Sequence, residues 1–445
     1  MTLDISSGDW LARLVDEELA GHDPAAVRLS LPPEVRDAPG QSLDTRARAL
    51  ADLSMGRRPG STGASAREVF RDEIAGHVRL ALEVALLAGA PFHPGRRRAE
   101  LAALLAAAAG EIPQALAADP GGARRSEAAV ARALTTAGYA FVDARWPPGD
   151  PGDGLALSEG DLWIERRLLT RLCAAYWRRG RLDEGEARRR LAQAGSDRAF
   201  LVAALVAHAA AAGPLDAHRR KVARHQIVRL WLPRELERRL REALRAPRPA
   251  AELLEAAPRR LRTFLAEQVL YAEAASRTRS AEQAAFAERF AREAGLAAGQ
   301  LPALRAEAAA AARRQRWLEG APGWVPGELQ GLPEEWGDAA DELVEKVSDV
   351  FKDNLEAIAR EVRQTGELGQ LLAKAAAGTS LTAEERKKVK VQLVDLAKAV
   401  PALTIFAAPG GMLLLPLLAK LLPFNVLPSA WESKGERRAA PPRKS

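Results

Sequence analysis

The segment "ASAREVFRDEIAGHVRLALEVALLAG" places Val69, Ile74, Val78, Leu80, Leu82 and Leu86 at roughly helical spacing. The stretches "LWIERRLLTRLCAAYWRRG" and "RKVARHQIVRLWLPRELERRLREAL" read the same way, and Ala/Leu/Arg/Glu segments continue from Asp9 to about Leu318. Apolar side chains three or four apart form one stripe on a helix, whereas a strand scatters them over both faces. Composition agrees with the spacing. Hydrophobic residues fill 47% of the 445 positions but aromatics only 5%, so Ala and Leu supply most of the apolar mass, and both lose little entropy in a helix. The expected fold class is all-α: a multi-helix N-terminal region, then a C-terminal helical module with a proline-broken apolar hairpin or membrane segment. The sequence contains no Gly-rich phosphate loop, no convincing run of alternating strands and no clean repeat period.

Two turn-rich segments divide the chain. "RWPPGDPGDGLALSEGD" (Arg145–Asp161) and "EGAPGWVPGELQGLPEEWGD" (Glu319–Asp338) both read as linkers. The expected parts are helical regions at 1–144 and 162–318, a module at 338–432, and a disordered basic tail at 433–445. After the second linker, Leu343, Val347, Val350, Phe351, Leu355, Ile358 and Val362 form one stripe, an amphipathic helix in need of a partner. Trp317, Trp324 and Trp336 cluster around that linker and are expected to pin it to a core.

Charge is unevenly placed. The chain carries +7, and the stretch from Leu381 to Ser445 carries +6, with eleven Lys and Arg against five Asp and Glu. The first 380 residues sum to +1, which assigns the basic signal to the C-terminal end. A single cysteine, Cys173, excludes an internal disulfide framework and a Cys-based zinc site. Its apolar setting, "LLTRLCAAYW", reads as a buried structural thiol rather than a nucleophile. The N-terminus, "MTLDISSGDWLARLVDEELAG", has acids and no apolar core, so no secretory signal is read. Asp72, Glu73 and His77, within a turn and a half, and His218 and His225, seven apart, have spacings that can converge on a metal. Solvated helix faces with ordinary ion pairs meet the same spacings and are the preferred reading, as they are for Glu165 and for Glu235 with Arg239. No cofactor is expected.

The C-terminal end holds the chain's most unusual stretch. Ala399 to Ala419 carries no charge over 21 positions. A membrane span needs ~20 apolar residues to cross ~30 Å of hydrocarbon, so the length suffices. Pro401, Pro409, Pro416 and the pair Gly410–Gly411 interrupt it, and each proline removes a backbone donor and frees a carbonyl. Two arrangements stay open: a membrane-associated segment, which is preferred, and a soluble hairpin buried in protein. The helix before the run opens on a capping box, Thr382 with Glu385. It carries Lys387, Lys388, Lys390 and Lys398 toward the apolar segment. These bases suit a solvated face, anionic lipid or ribosomal RNA.

The pattern Leu372, Gly378, Leu381, then "EER", "DLAKAVP", Pro409, Pro416, Lys420 and "LPFNVLPS" resembles the LETM family, leucine-zipper, EF-hand transmembrane proteins of the mitochondrial inner membrane. The resemblance covers about Gln370 to Glu432 and rests on Pro401, Pro409, Pro416, Pro423, Asn425, Leu427, Pro428 and Ser429. It implies a domain called ribosome-binding in that family, preceded by a membrane span, and a link to cation–proton exchange and membrane protein biogenesis. Three departures matter. The chain stops soon after "LPS", it shows no EF-hand loop or terminal coiled coil, and Met412 stands where family members place an acid. An ion path through lipid uses an ionisable group, so cation exchange is not expected. The function expected is a membrane-associated, non-enzymatic, LETM-like ribosome-binding or membrane-homeostasis factor, with Lys387, Lys388, Lys390, Lys398 and Lys420 facing ribosome or anionic lipid. The alternative is a soluble all-helical interaction scaffold; a metal-dependent helical enzyme is the least favoured class. The expected partners include no DNA, and the expected location is a bacterial inner membrane or its cytoplasmic face, or alternatively the cytoplasm.

Overall fold

The computed structural model of the protein describes residues 5, 7–38, 40–56, 66–122, 126–145, 154–230, 232–276 and 280–315. Among them every regular element is helical, as the three-and-four spacing requires. The helices are α1 (Trp10–Ala20), α2 (Pro24–Ser30), α3 (Pro33–Arg36), α4 (Leu43–Gly56), α5 (Ala66–Leu87), α6 (Pro94–Ala108), α7 (Ile112–Ala118) and α8 (Glu127–Arg145). They continue with α9 (Ser158–Arg179), α10 (Glu184–Ala209), α11 (Ala217–Arg229), α12 (Arg234–Arg245), α13 (Ala250–Ala256), α14 (Arg259–Ala275), α15 (Ala281–Glu293) and α16 (Leu301–Gln315). All sixteen lie in one compact unit, Met1–Pro326.

Local chemistry sets where many of these helices begin. Side chains of Asp23, Asp183, Asp216 and Ser280 each accept a hydrogen bond from a free N–H in the first turn of α2, α10, α11 and α15. Proline sits in the first turn of α2, α3, α6 and α7, where its missing N–H costs nothing. Gly180 ends α9 in the left-handed region, with φ 70°, and its N–H bonds back to the Tyr176 carbonyl.

The unit is organised around α9, which packs on α4, α5, α6 and α10. α10 carries the packing onward to α12, α13, α14 and α15, and α14 in turn receives α15 and α16. Helices on both sides of 146–153 contribute to one hydrophobic cluster, including Leu134 and Phe141 of α8 and Leu169, Leu172 and Cys173 of α9. No described helix is long and apolar enough to cross a membrane. The 399–419 run, the stripe from Leu343 to Val362, and Trp317, Trp324 and Trp336 lie outside the described residues.

A single carboxylate fastens the α9–α10 turn. Asp119, buried at the end of α7, accepts from the Tyr176 hydroxyl at 3.1 Å, the Leu182 N–H at 2.7 Å and the Gly121 N–H at 3.0 Å. Gly121 is there because a Cβ would stand 2.5 Å from the Gly180 carbonyl oxygen. Hydrogen bonds to a charged group contribute about 1.5–3 kcal/mol each, and removing the acceptor leaves buried donors unsatisfied. Asp119→Ala should therefore lower stability by about 3 kcal/mol, read as a lower urea midpoint with an unchanged slope. An unchanged midpoint would show that the turn is held by packing alone.

Candidate functional site

The charged side chains that sequence spacing sends to the surface of α5 and α9 instead meet in the core. Glu73 and His77 are one turn apart on α5, and Asp161 and Glu165 are one turn apart on α9. Arg145 is the last residue of α8 and Arg198 lies in α10. The Arg145 guanidinium stands 3.1 Å from the Glu165 carboxylate and 3.5 Å from those of Glu73 and Asp161. Arg198 Nε reaches Asp161 Oδ1 at 2.5 Å. His77 Nδ1 donates to the Glu73 carbonyl oxygen at 2.8 Å, while its Nε2 lies 3.3 Å from Glu165 Oε2. Arg145 at a helix C-terminus and Asp161 in a helix first turn each also complement the dipole of their own helix.

Burial opposes the charges of Glu165, Arg145 and Arg198, and their partners outweigh it. Burial pushes the Glu165 carboxyl up, but Arg145 and then His77 hold it at about 2, below the ordinary 4.5. Burial disfavours the Arg145 cation, yet Glu165, Glu73 and Asp161 leave it more firmly charged than a free arginine. A second pair joins α10 to α14, where Arg260 reaches in from the surface and grips the buried Asp197 through both nitrogens at 2.7 and 2.5 Å. On the α4 side, Asp52 accepts from Trp163 Nε1 at 3.0 Å and from Arg167 at 3.1 and 3.0 Å. The Trp163 ring then stacks on Phe264 at 3.9 Å.

These positions correct the solvated-face reading of Glu73, His77 and Glu165. All three are buried, because α8 and α10 bring arginines to faces that appear unpartnered within one helix. Glu235 and Arg239 do form the expected exposed pair, at 3.0 Å. Cys173 is buried as expected, and burial pushes its thiol up, away from the thiolate. Asp72 is half-buried beside Arg71, His218 is exposed and His225 half-buried. Among the described residues, no three His, Cys, Asp or Glu side chains are grouped so as to hold a metal ion. Lys387, Lys388, Lys390, Lys398 and Lys420, with the motif residues Pro401, Pro409, Pro416, Pro423, Asn425, Leu427, Pro428 and Ser429, lie outside the described residues.

The assignment of the basic signal to the C-terminal end also needs correction. Ala217 to Arg248, which spans α11 and α12, holds eleven Lys and Arg against three Asp and Glu, a net +8. A sum over the first 380 residues conceals it, because acids elsewhere in that span cancel the excess. A window of one helix pair would have found it.

Two pH responses follow from the buried groups. Glu165 adds stability while it is ionised, fully above the ordinary value of 4.5, and this stability is lost as pH falls toward about 2. Breaking a buried ion network by removing one partner costs about 3–5 kcal/mol, so Glu165→Gln should be destabilised by that order at pH 7. Its deficit should shrink as pH falls from 5 to 3, measured by urea unfolding; a deficit independent of pH would mean the carboxylate's charge is not what matters. His208, buried with no hydrogen-bond partner for Nε2 among the described residues, is held at about 4 by burial, below the ordinary 6.5. The unfolded chain takes up this proton first, so stability should drain away between pH 6.5 and 4. His208→Leu should flatten that part of the pH–stability curve, and a curve with the wild-type slope would contradict it.

Comparison with known proteins bears on the C-terminal part. A family model described as LETM1-like, RBD matches residues 381–444. No curated protein matches the chain, and no solved structure does. The matched stretch contains each lysine and motif residue named above, and it overlaps the Gln370–Glu432 stretch that carries the resemblance. The C-terminal part of this chain, residues 381–444, is LETM1-like, and α1 to α16 lie outside the match.

Proposed function

We propose that this protein is a membrane-associated, non-enzymatic LETM-like factor that binds ribosomes or maintains membrane homeostasis, at a bacterial inner membrane or its cytoplasmic face. The observation that carries the reading is the match of residues 381–444 to the family model, a domain called ribosome-binding in that family. Charge supports it, since the stretch from Leu381 to Ser445 carries +6 and ribosomal RNA and acidic lipid both attract bases. In this reading Lys387, Lys388 and Lys390 make the ordered contact, Lys398 and Lys420 flank the apolar run, and that run supplies the membrane association. The protein does not exchange cations, because the Ala399–Ala419 stretch holds no titratable side chain.

The test separates shape-dependent ribosome binding from diffuse attraction to lipid. Lys387→Gln, Lys388→Gln and Lys390→Gln together should weaken ribosome co-sedimentation more than deletion of Glu436–Ser445. Equal losses in the two variants, or binding to acidic vesicles with none to ribosomes, would count against the ribosome reading. Extraction of membranes with alkaline carbonate tests the rest: protein released entirely to the supernatant favours a soluble helical scaffold whose apolar hairpin is core.

A further inference from the structure

We propose that the solvent-facing edge of α9, at Arg171, is a binding site for the terminal phosphate of a small soluble anion. From Asp161 to Tyr176 every residue of α9 is buried except Trp163, Arg167 and Arg171. These three are four apart and share one line along the helix. A helix that gives the rest of its surface to the core keeps two arginines and a tryptophan where it meets water.

The two arginines differ in how they are satisfied. Arg167 holds Asp52 through two nitrogens at 3.1 and 3.0 Å and lies over the Trp163 ring at 4.3 Å. Arg171 has no ion pair among the described residues; its Nη1 donates to a neutral acceptor, Gln193 Oε1 of α10, at 3.1 Å. The cations around it already have acids. Arg260 holds Asp197, Arg190 holds Glu186, and Glu186 is shared with Arg189. Arg167, Arg171, Arg190 and Arg260 thus share Asp52, Glu186 and Asp197, and Arg171 is the cation in excess. Burial, then Arg260, pulls the Arg171 cation from the ordinary 12.5 to about 10, with Arg167 and Arg190 adding to the effect and Asp197 opposing it. One negative charge is wanting at this edge.

A terminal phosphate supplies it. Such a group carries about −1.5 to −2 at pH 7 and three strong acceptor oxygens. Arg171 has five N–H donors and uses one on Gln193. The amide NH2 of Gln193 makes no hydrogen bond among the described residues and stands beside the guanidinium as a further donor. Guanidinium forks match phosphate oxygens in pairs. A lipid headgroup fits less well, because surface-binding helices pair their bases with an apolar face that enters the bilayer. Among the described residues the exposed large hydrophobic side chain is Leu29, on α2, and none is on α9, α10 or α14. The proposal rests on these three helices and not on the reading of residues 381–444.

The experiment uses the full chain with inorganic phosphate as the probe, at constant ionic strength. Titration calorimetry should show saturable binding to the wild type with a dissociation constant on the order of 1 mM or below. Arg171→Gln should weaken it roughly tenfold or more, and Arg171→Lys, which keeps the charge without the fork, should fall between the two. Phosphate should also raise the wild-type urea midpoint to a plateau, as a ligand of the native state does, and leave that of Arg171→Gln unmoved. An arginine with only a structural role would shift the midpoint equally at every phosphate concentration. Circular dichroism should show the three proteins equally helical; if the glutamine variant does not fold, the wild-type titration and the lysine variant decide. No saturation in the wild type up to ~10 mM phosphate overturns the proposal, whatever the variants do. An equal phosphate response in wild type and Arg171→Gln also overturns it, as a general salt effect. Binding to vesicles containing phosphatidic acid, with none to free phosphate, overturns it in favour of a lipid surface.

Discussion

The helical unit depends on Arg145. A guanidinium taken out of water is costly, and only close, well-placed carboxylates make it tolerable. Here they come from α5 and α9, through Glu73, Asp161 and Glu165, and Arg198 of α10 supports Asp161 from behind. Apolar packing alone can slide, because one leucine contact much resembles the next. A charge with specific partners cannot, so the network sets the relative registers of four helices around which Ala- and Leu-rich surfaces then close. The abundance of alanine in α6 and α10 makes this constraint more valuable, since small side chains offer few distinctive knobs.

The class of fold was legible, and the polar interior was not. Spacing and composition point to helices, and α5 and α9 lie where "REVFRDEIAGHVRLALEVALL" and "LWIERRLLTRLCAAY" place them. Cys173 reads correctly because its neighbours along the helix are themselves apolar. Glu73, His77 and Glu165 read wrongly because the groups that justify their burial lie on other helices. Arg145 is about 70 residues from Glu73, and Arg198 about 30 from Glu165. A helical wheel shows only that a charge shares a face with Ile74 or Leu169; it does not show the arginine arriving from elsewhere.

The C-terminal segment was legible for the opposite reason. Its prolines and "LPFNVLPS" form a local pattern, so a family resemblance could be read from residues in one short stretch, and residues 381–444 match the family model. The two basic regions divide along the same line. The C-terminal one dominates a net-charge sum, whereas the one on α11 and α12 is cancelled in a sum over the first 380 residues by the net −7 of residues 327–380. Averaging over a long span tests whether a protein is basic, and helix-by-helix counting tests where it can meet a polyanion.

The pairing of Arg145 with Asp161 has a consequence for how the unit comes apart. The proline-rich stretch between them has the sequence of a boundary, and the sequence reading divides the chain there into two helical regions. The ions forbid that independence. The first piece would keep Glu73, His77 and Arg145, and the second Asp161, Glu165 and Arg198. Neither holds a complete set of partners, and each would expose the apolar faces that α4, α5 and α6 bury against α9. The two halves lie in one compact unit, Met1–Pro326, and such shared ion partners make them complementary fragments, expected to gain or lose their native state together.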